Sequence, residues 1–320
     1  MPVVKFRAIP EWDRHRLVLI WPVGNRPQLT ALYARLLTEV SSLFRVTLLI
    51  QNADAVPDIQ ADISVVRVKN LPDIWLQDYA PIPVQDQKGD LLLAKFKYSP
   101  AYLRDLPDVA LRDDRIGAKL GSFFSLPTIR IPLVLDGGSM VTNGSGILIA
   151  TERILSDNPH LSRTEIEFLL QQHLGAEQVL LLPEEPHDPT GHIDGMVRFV
   201  DERTILVGRY PDSYRVGHSY GELLKHRLAQ ELSPDIRIHQ VENFFPDPEM
   251  NEGIPSAVGN MLNFLQIRKT LFVPSYGLQG EGPVFDNLRR SLPEFRIVPI
   301  PHCLPLARLG GVLHCISWQV

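Results

Sequence analysis

The stretch RTILVGRYPDSYRVGHSYGELLKHRLAQELSPDIRIHQV, residues 203–241, contains one complete structural unit. It begins with an apolar run rich in β-branched residues (203–208), continues with apolar residues at helical spacing (about 214–232), and ends in a second such run (236–241). β-Branched runs favour strands, whereas an apolar residue every three to four positions is typical of a helix with one buried face. The stretch therefore predicts a strand, a helix and a second strand.

The same succession recurs along the chain. Helices are predicted at five places: about 28–43, 108–124, 163–175, 214–232 and 282–292. Each leads into a strand, at 45–51, 128–134, 178–183, 236–241 and 295–301. Further strand-like runs precede most of these helices, at 91–96, 146–151, 203–208 and 270–274. Repetition on this scale, without visible identity between the copies, predicts a repeated α/β architecture arranged as a ring or a stack.

Composition places the chain among ordinary globular proteins. Of its 320 residues, 44% are hydrophobic and 22% are charged, which allows a large buried core. No long glycine–serine or charged linker interrupts the repeats, and the looser stretches 52–60 and 99–107 resemble surface loops. We therefore predict a single domain over residues 1–320.

The charge balance argues against extended partners. The net charge is −5, the isoelectric point is near 6.1, and no Lys/Arg run is longer than a pair. These values argue against a nucleic-acid footprint or a polybasic membrane patch. No apolar run reaches the roughly 20 residues that span a bilayer, and the N-terminus lacks a signal-peptide core. We expect a cytoplasmic protein whose partner is a small molecule.

Polar residues flanked by glycine follow several of the predicted strands, in LQDYAPI, LDGGSM, TGHIDG and GGVLHC. If similar units surround one axis, equivalent positions after each strand converge on that axis, and loops on a rigid scaffold commonly carry chemistry. We therefore expect five side chains to meet: Asp78, Asp136, His192, Asp194 and Cys315.

These side chains suit one kind of ligand. The thiol of Cys315 is mostly protonated near neutral pH, and a histidine such as His192 or a cationic substrate can lower its pKa. Asp194 lies two residues beyond His192, so in an extended segment both side chains face one pocket. Three carboxylates beside a thiolate repel one another unless a cation is bound, and a planar guanidinium fits paired carboxylates bidentately. The pocket therefore predicts an arginine-like ligand.

Six segments, in this order, resemble the agmatine deiminase and bacterial-type peptidylarginine deiminase family, within the guanidino-group-modifying superfamily. They are PEWDRHRLVLIWP (10–22), DIWLQDYAPI (73–82), LDGGSMVTNGSGILIATERIL (135–155), GHIDGMVRF (191–199), MLNFLQIRKTLFVPSYG (261–277) and GGVLHC (310–315). The resemblance spans nearly the whole chain. It implies a five-bladed α/β propeller of ββαβ units around a pseudo-fivefold axis, and it implies no cofactor.

The resemblance also implies a role for each polar residue. Cys315 would be the nucleophile that attacks the guanidinium carbon, and His192 would be the general acid and base. Asp136 would orient His192. Asp78 and Asp194 would hold the guanidinium nitrogens.

The implied substrate is agmatine, hydrolysed to N-carbamoylputrescine and ammonia as a step of putrescine biosynthesis and polyamine metabolism. Trp75 matches a position that lines the substrate pocket in this family, where an aromatic face can hold a cation or its methylene stem. The alternative is a peptidylarginine deiminase that converts arginine residues to citrulline. A non-catalytic guanidino-binding member and an amidinotransferase are further alternatives. The oligomeric state stays open, and a homo-oligomer is one outcome.

Some positions depart from the family pattern. Gln77 stands where the family often has Arg, Asp136 replaces the glutamate usual in agmatine deiminases, and Val312 replaces a common Asn. The segment that follows Trp21-Pro22 lacks the usual Asp and Trp. These departures concern the choice of substrate more than the chemistry.

The spacing of two histidines and an aspartate near His192 could also indicate a metal site. His187, His192 and Asp194 form an HxxxxHxD pattern, but no third convincing ligand follows at a fixed offset. We therefore predict no metal.

Other residues have structural interpretations. We interpret Cys303 as structural, and His314 as a core or supporting residue on the opposite face of a strand from Cys315. The segment 143–145 spells a glycosylation acceptor, but between two strands Asn-Gly favours a hairpin turn. Asn260 and Asn263 are further candidates for the pocket.

Overall fold

The computed structural model describes residues 6–22, 26–51, 63–244 and 247–320. Within these residues the chain has a mixed α/β fold, in which five sheets share one strand order. In each, a central strand lies between an antiparallel and a parallel neighbour, and we call these three strands a set. In the order antiparallel, central, parallel, these sets are β19, β2 and β3 (Ser317–Gln319, Arg16–Ile20, Arg45–Ile50); β5, β6 and β7 (Ile82–Gln85, Leu91–Lys97, Thr128–Val134); β8, β9 and β10 (Met140–Thr142, Ile147–Thr151, Gln178–Leu182); β11, β12 and β13 (Val197–Asp201, Thr204–Arg209, Arg237–Glu242); and β16, β17 and β18 (Leu265–Ile267, Thr270–Pro274, Arg296–Ile300).

The remaining strands are peripheral. β4 (Ile63–Arg67) extends the first set beside β3, and β1 (Arg7–Ala8) extends the second beside β5. β14 (Met250–Asn251) and β15 (Ile254–Pro255) form a separate two-stranded hairpin.

A helix connects the central strand of each set to its parallel neighbour. These helices are α1 (Thr30–Ser41), α3 (Pro107–Phe123), α5 (Arg163–Leu174), α6 (Arg215–Glu231) and α7 (Glu281–Ser291). Three further helices are short: α4 (Arg153–Asp157) precedes α5 in the same crossover, whereas α2 (Leu76–Tyr79) and α8 (Leu304–Ala307) lie in connections between sets. Parallel neighbours need such a crossover, whereas antiparallel neighbours can be joined by a tight turn. The five predicted helices and the strands that follow them are confirmed, with bounds within about two residues.

The boundaries of α5 show how local sequence sets an element. Ser162 and Glu165 form a reciprocal capping box at its N-terminus, which satisfies backbone N–H groups that have no partner inside the helix. Gly175 follows its last residue with a φ of 70°, a left-handed conformation that glycine adopts without strain. The Asn143-Gly144 turn between β8 and β9 is also confirmed, and Gly144 has a φ of 68°.

The C-terminal strand joins the N-terminal part of the chain. Trp318 of β19 lies opposite Val18 of β2, and its buried indole donates to the carbonyl of Pro81 at 2.8 Å. Burial of large side chains such as these stabilises the fold by about 1.5–3 kcal/mol each. This strand therefore anchors the preceding turn, which carries Cys315, although that residue lies near the end of the chain.

Two predicted surface loops have different outcomes. The stretch 52–60 lies outside the described residues, as do residues 23–25 in the segment after Trp21-Pro22. The interpretation of 99–107 as a surface loop is wrong for its first part, because a 3-10 turn at Ala101–Leu103 directs Tyr102 against Asp136. Among the described helices, none has the length and apolar character needed to cross a membrane.

Candidate active site

The predicted site residues lie in four connections between neighbouring sets. Cys315 is in the turn before β19, and its carbonyl accepts a hydrogen bond from the backbone N–H of Gln77 at 3.1 Å. Asp78 is on α2, next to Gln77. Asp136 follows β7 directly, where its Oδ1 accepts from the N–H of Gly138. His192, like Asp194, belongs to the segment that joins β10 to β11.

Two connected hollows meet at Cys315 and His192, which line both. One hollow has a volume of about 150 Å³ and the other about 110 Å³. The first also contains Asp194, Asn263 and Asn260 in its wall, and the second contains Trp75 and Asp78. The structure therefore brings the predicted residues together around one cleft.

His192 lies between two carboxylates. Its Nε2 is 3.0 Å from Oδ2 of Asp136, an ion-pair distance, although the two atoms are not aligned for a regular hydrogen bond. Its Nδ1 is 4.0 Å from Oδ1 of Asp78. Burial by itself lowers the pKa of this imidazole, but Asp136 and Asp78 outweigh burial and raise the pKa well above its usual range. These carboxylates therefore favour the imidazolium form of His192, which can donate a proton.

Cys315 is a buried thiol in an electronegative position. Burial raises its pKa well above the usual range, and Asp194 and Asp78 raise it further. The Sγ atom is 3.4 Å from Oδ1 of Asn263, which accepts the thiol hydrogen. The thiol is consequently protonated until a cation offsets the two carboxylates.

The two carboxylates that face Cys315 differ in their bonding. Oδ2 of Asp194 accepts from Nδ1 of His314 at 2.5 Å and from Nδ2 of Asn263 at 3.3 Å. Burial opposes ionisation of Asp194, yet the bond from His314 lowers its pKa overall. Asp78 has a raised pKa, first because of burial and then because of Asp136, and its Oδ1 is buried without a hydrogen-bond partner. A buried acceptor without a partner destabilises the folded protein, so a ligand that donates a hydrogen bond to Asp78 would relieve this cost.

The glycine pairs permit close approach between site residues. A Cβ on Gly138 would lie 2.5 Å from Nδ1 of His192. A Cβ on Gly311 would lie 2.6 Å from Cζ3 of Trp75 and 3.0 Å from Sγ of Cys315. Real Cβ atoms do not tolerate the two shortest of these contacts, so each glycine lets an active-site side chain pack directly on backbone.

A buried charged network supports the cleft from behind. Arg198 contacts Oε2 of Glu11 at 2.5 Å, and Oε1 of Glu11 is 2.6 Å from Nε2 of His314. His314 in turn contacts Asp194. The supporting role predicted for His314 agrees with these contacts, but its placement on a strand is wrong, because residues 313–316 form a turn and β19 begins at Ser317.

Sequence reasoning assigned no role to Glu11, Arg198 or Tyr102. For Arg198 a signal existed, because a charged residue interrupts the apolar strand VRFV, and a buried charge needs a partner. Glu11 lies inside the quoted segment 10–22, but nothing local indicates that its partner is Arg198 or His314. Tyr102 carried no signal at all, since it lies two residues after Pro100 in a stretch with loop composition.

One group of described residues has spacing that could hold a metal ion. Ligand atoms of Asp78, Asp136 and His192 lie within 4.8 Å of one another. His187 of the sequence-based metal pattern is not among them. The same two carboxylates and the unpartnered Oδ1 of Asp78 equally suit a cationic organic group.

A buried thiol, an imidazole and carboxylates around one cleft are the groups that a thiol-dependent hydrolase of a cationic substrate requires. The chain belongs to the Porphyromonas-type peptidyl-arginine deiminase family, whose profile matches residues 7–320. The family resemblance drawn from the sequence is thereby confirmed.

Individual relatives agree with this membership. The chain is 26% identical to the agmatine deiminase of Pseudomonas aeruginosa (strain LESB58), over 98% of this chain and 95% of the relative. Among solved structures, C. jejuni agmatine deiminase matches with a TM-score of 0.85 at 22% identity, over 100% of this chain and 97% of the other. The agmatine deiminase of Enterococcus faecalis matches with a TM-score of 0.82 at 21% identity, over 98% and 95%. At these identities the structural matches establish the mixed α/β fold.

Proposed function

We propose that the protein hydrolyses agmatine to N-carbamoylputrescine and ammonia through a covalent intermediate on Cys315. The observation that carries this proposal is Oδ1 of Asp78, which is buried without a hydrogen-bond partner in the cleft that also contains Cys315 and His192. A guanidinium offers parallel N–H donors together with a positive charge, so it completes this acceptor. Asp194 supplies a second carboxylate from the other side of the cleft.

The first half of the reaction forms the intermediate. A guanidinium held by Asp78 and Asp194 offsets the charges that raise the pKa of Cys315, so the thiol loses its proton to solvent. The thiolate attacks the guanidinium carbon and a C–S bond forms. His192 then donates its proton to one nitrogen, the C–N bond breaks, and ammonia leaves. The product of this half is a cationic amidino-thioether and a neutral His192.

The second half hydrolyses the intermediate. Neutral His192 accepts a proton from water as the oxygen attacks the same carbon. The C–S bond then breaks, Cys315 departs as a thiolate, and the remaining oxygen-protonated urea releases its O–H proton to solvent to become a ureido group. Asp136 keeps the imidazole in place during both transfers, because its Oδ2 lies 3.0 Å from Nε2.

Acidic residues of the cleft favour a substrate with an amine at the end distant from the guanidino group. Glu185 lines the same hollow as Cys315, and burial, followed by the charge of Asp188, raises its pKa to about 7. A distal ammonium would offset both acids, whereas the carboxylate of free arginine would be repelled by them. Agmatine therefore ranks above free arginine. Peptidylarginine remains the second candidate, because the other hollow reaches Leu106, whose side chain is 43% exposed.

The direct test measures ammonia release from agmatine, free arginine and arginine peptides. We expect agmatine to have the highest kcat/KM. If an arginine peptide were processed at least tenfold more efficiently, a preference of about 1.4 kcal/mol, peptidylarginine would replace agmatine. Binding without ammonia release would indicate a non-catalytic member. Formation of a new guanidine after addition of an amine acceptor would indicate an amidinotransferase.

We also infer that the five sets surround one axis as a five-bladed α/β propeller and that residues 1–320 form a single domain. The common strand order of the sets and the pairing of β19 with β2 support this arrangement. A single cooperative unfolding transition, followed by circular dichroism and tryptophan fluorescence, is expected for one domain. Two separated transitions would contradict it. The cytoplasmic location stays a prediction, and a homo-oligomer stays one of the possible states.

A further inference from the structure

Tyr102 contacts the acid that faces His192. It lies in the 3-10 turn Ala101–Leu103, between β6 and α3, and its hydroxyl donates to Oδ2 of Asp136 at 2.7 Å. This oxygen is the one that lies 3.0 Å from Nε2 of His192. The phenol ring also stands edge-on to the imidazole, with centroids 6.0 Å apart and planes at 80°. One carboxylate oxygen is thus shared by the phenol and the imidazole.

The phenol can only act as a neutral donor in this place. Burial raises the pKa of Tyr102 well above its usual range, and the charge of Asp136 raises it further. The hydroxyl of Tyr98 lies 3.1 Å from that of Tyr102 and is therefore one hydrogen bond further from Asp136. The two tyrosines therefore form a hydrogen-bonded chain, in which Tyr102 contacts the carboxylate and Tyr98 contacts Tyr102.

We propose that Tyr102 is a positioning residue that holds Oδ2 of Asp136 against His192 and takes up part of the hydrogen-bonding capacity of that oxygen. The consequence for catalysis rests on the proposed role of His192 as acid and base. The phenol reduces the share of the Asp136 charge that stabilises the imidazolium, because a carboxylate oxygen that accepts one bond is a weaker acceptor for a second.

Other charged and titratable groups act on the same pair and set the direction of the effect. Those facing His192 are Asp78, Asp136, Asp194 and the neighbouring Cys315. Those that interact with Asp136 are Asp78, Lys95, Tyr98, Tyr102, Asp157 and His192. Carboxylates predominate around the imidazole, so His192 is already cationic. Loss of the phenol hydroxyl leaves more of the Asp136 charge to His192 and raises its pKa further.

That rise has a specific kinetic effect. Hydrolysis of the amidino-thioether requires neutral His192, so the rate of this step increases as pH rises through the pKa of the imidazole in the intermediate. In Tyr102→Phe we expect the rising limb of the kcat–pH profile to move to higher pH by about half a unit or more. This is the size of shift that the free energy of one hydrogen bond produces. At neutral pH kcat should fall severalfold while KM stays within about twofold.

The matched control is Tyr98→Phe, which removes a hydroxyl one bond further from Asp136. We expect its pH limb to move by less than half as much. Circular dichroism and the melting temperature of both variants establish that they fold. An unchanged limb in Tyr102→Phe, or equal movement in both variants, would show that Tyr102 only fills space.

A second readout does not depend on the substrate. In Cys315→Ala protein with ¹⁵N-labelled histidine, NMR follows the titration of His192 directly, with and without Tyr102→Phe. A higher midpoint in the double variant supports the positioning role even if the protein hydrolyses no guanidino compound. The same midpoint in both proteins overturns it, and this outcome is distinct from a failure of the ammonia assay.

Discussion

His314 donates a hydrogen bond from Nδ1 to Oδ2 of Asp194 at 2.5 Å, next to the cleft that contains Cys315. Its other ring nitrogen lies 2.6 Å from Oε1 of Glu11. Both nitrogens face carboxylate oxygens, and a neutral imidazole has only one N–H. Burial and the charge of Arg198 oppose a second proton, but Glu11 and Asp194 outweigh them and raise the pKa of His314. His314 is therefore a cation that keeps Asp194 ionised.

Substitution of His314 by Gln should weaken guanidinium binding. The amide is neutral, and only its NH2 end is a donor, whereas both ring nitrogens of the imidazolium donate. In a Cys315→Ala background we expect affinity for the substrate to fall about tenfold, which corresponds to about 1.4 kcal/mol. Titration calorimetry measures this effect, and His226→Gln, at an exposed position of α6, is the matched control. Equal affinity in the His314 and His226 variants would contradict a role for the imidazolium.

Replacement of Cys315 by Ser should abolish turnover, because a serine hydroxyl ionises far less readily than a thiol and lacks the nucleophilicity of a thiolate at neutral pH. Cys303 provides the control. Its side chain is fully buried, and burial raises its pKa to about 12, so its thiol is inert. Ammonia release should persist in Cys303→Ser and disappear in Cys315→Ser. The reverse pattern would exclude Cys315 as the nucleophile.

The affinity for the guanidinium should increase with pH because of Asp78. Burial, Asp136 and Asp194 raise the pKa of this carboxyl, while His192 opposes them. The cation binds the ionised form, so binding is weaker below the raised pKa, where a proton must first be released, and stronger above it. Calorimetry on Cys315→Ala, in buffers with different ionisation enthalpies, should detect this proton release. Its persistence in the same protein carrying Asp78→Asn would assign the proton to another group.

Asp78→Asn should also reduce catalysis strongly. The amide leaves the bound cation with one carboxylate fewer, which we expect to cost about 2–5 kcal/mol in transition-state stabilisation. The measurement is kcat/KM with each guanidino substrate. Near-normal efficiency with all of them would require a different binding site.

Gly311→Ala should reduce activity with little loss of fold. The new Cβ would meet Trp75 at 2.6 Å and Sγ of Cys315 at 3.0 Å, so one of the two side chains must move. We expect kcat/KM to fall at least about tenfold, since misplacement of a reacting group by about 1 Å is costly. Gly282→Ala is the control, because its Cβ meets nothing and an alanine in α7 should stabilise the helix by about 0.5–1 kcal/mol. Equal activity in both variants would show that the contact at Gly311 is easily relieved.

Removal of metal ions should leave activity unchanged. The mechanism moves protons through His192 and charge through carboxylates, with no step that needs a metal. Dialysis against a chelator, followed by the ammonia assay, checks this expectation. Loss of activity that a divalent cation restores would instead assign Asp78, Asp136 and His192 to a metal site.

The sequence by itself determined the repeated strand–helix–strand units and identified Asp78, His192, Asp194 and Cys315, which line the cleft. Hydrophobic periodicity is a local property, so the five helices could be located to within about two residues, and His192, Asp194 and Cys315 stand in segments with specific spacing. Only the tertiary structure decided how those residues are bonded. Asp78 and Asp194 are both aspartates beside the thiol, yet one has an unpartnered oxygen and the other is held by His314.

The same limit applies to the supporting residues. Glu11 and His314 are 303 positions apart and meet only because β19 pairs with β2, which brings the two ends of the chain together. Tyr102 meets Asp136 because a turn in a stretch with loop composition directs it inward. Hydrogen-bond partners that are distant in the chain leave no periodic pattern in it, since their pairing depends on the packing of whole sheets. The sequence therefore indicated the chemistry, and the packing decided the protonation states with which that chemistry begins.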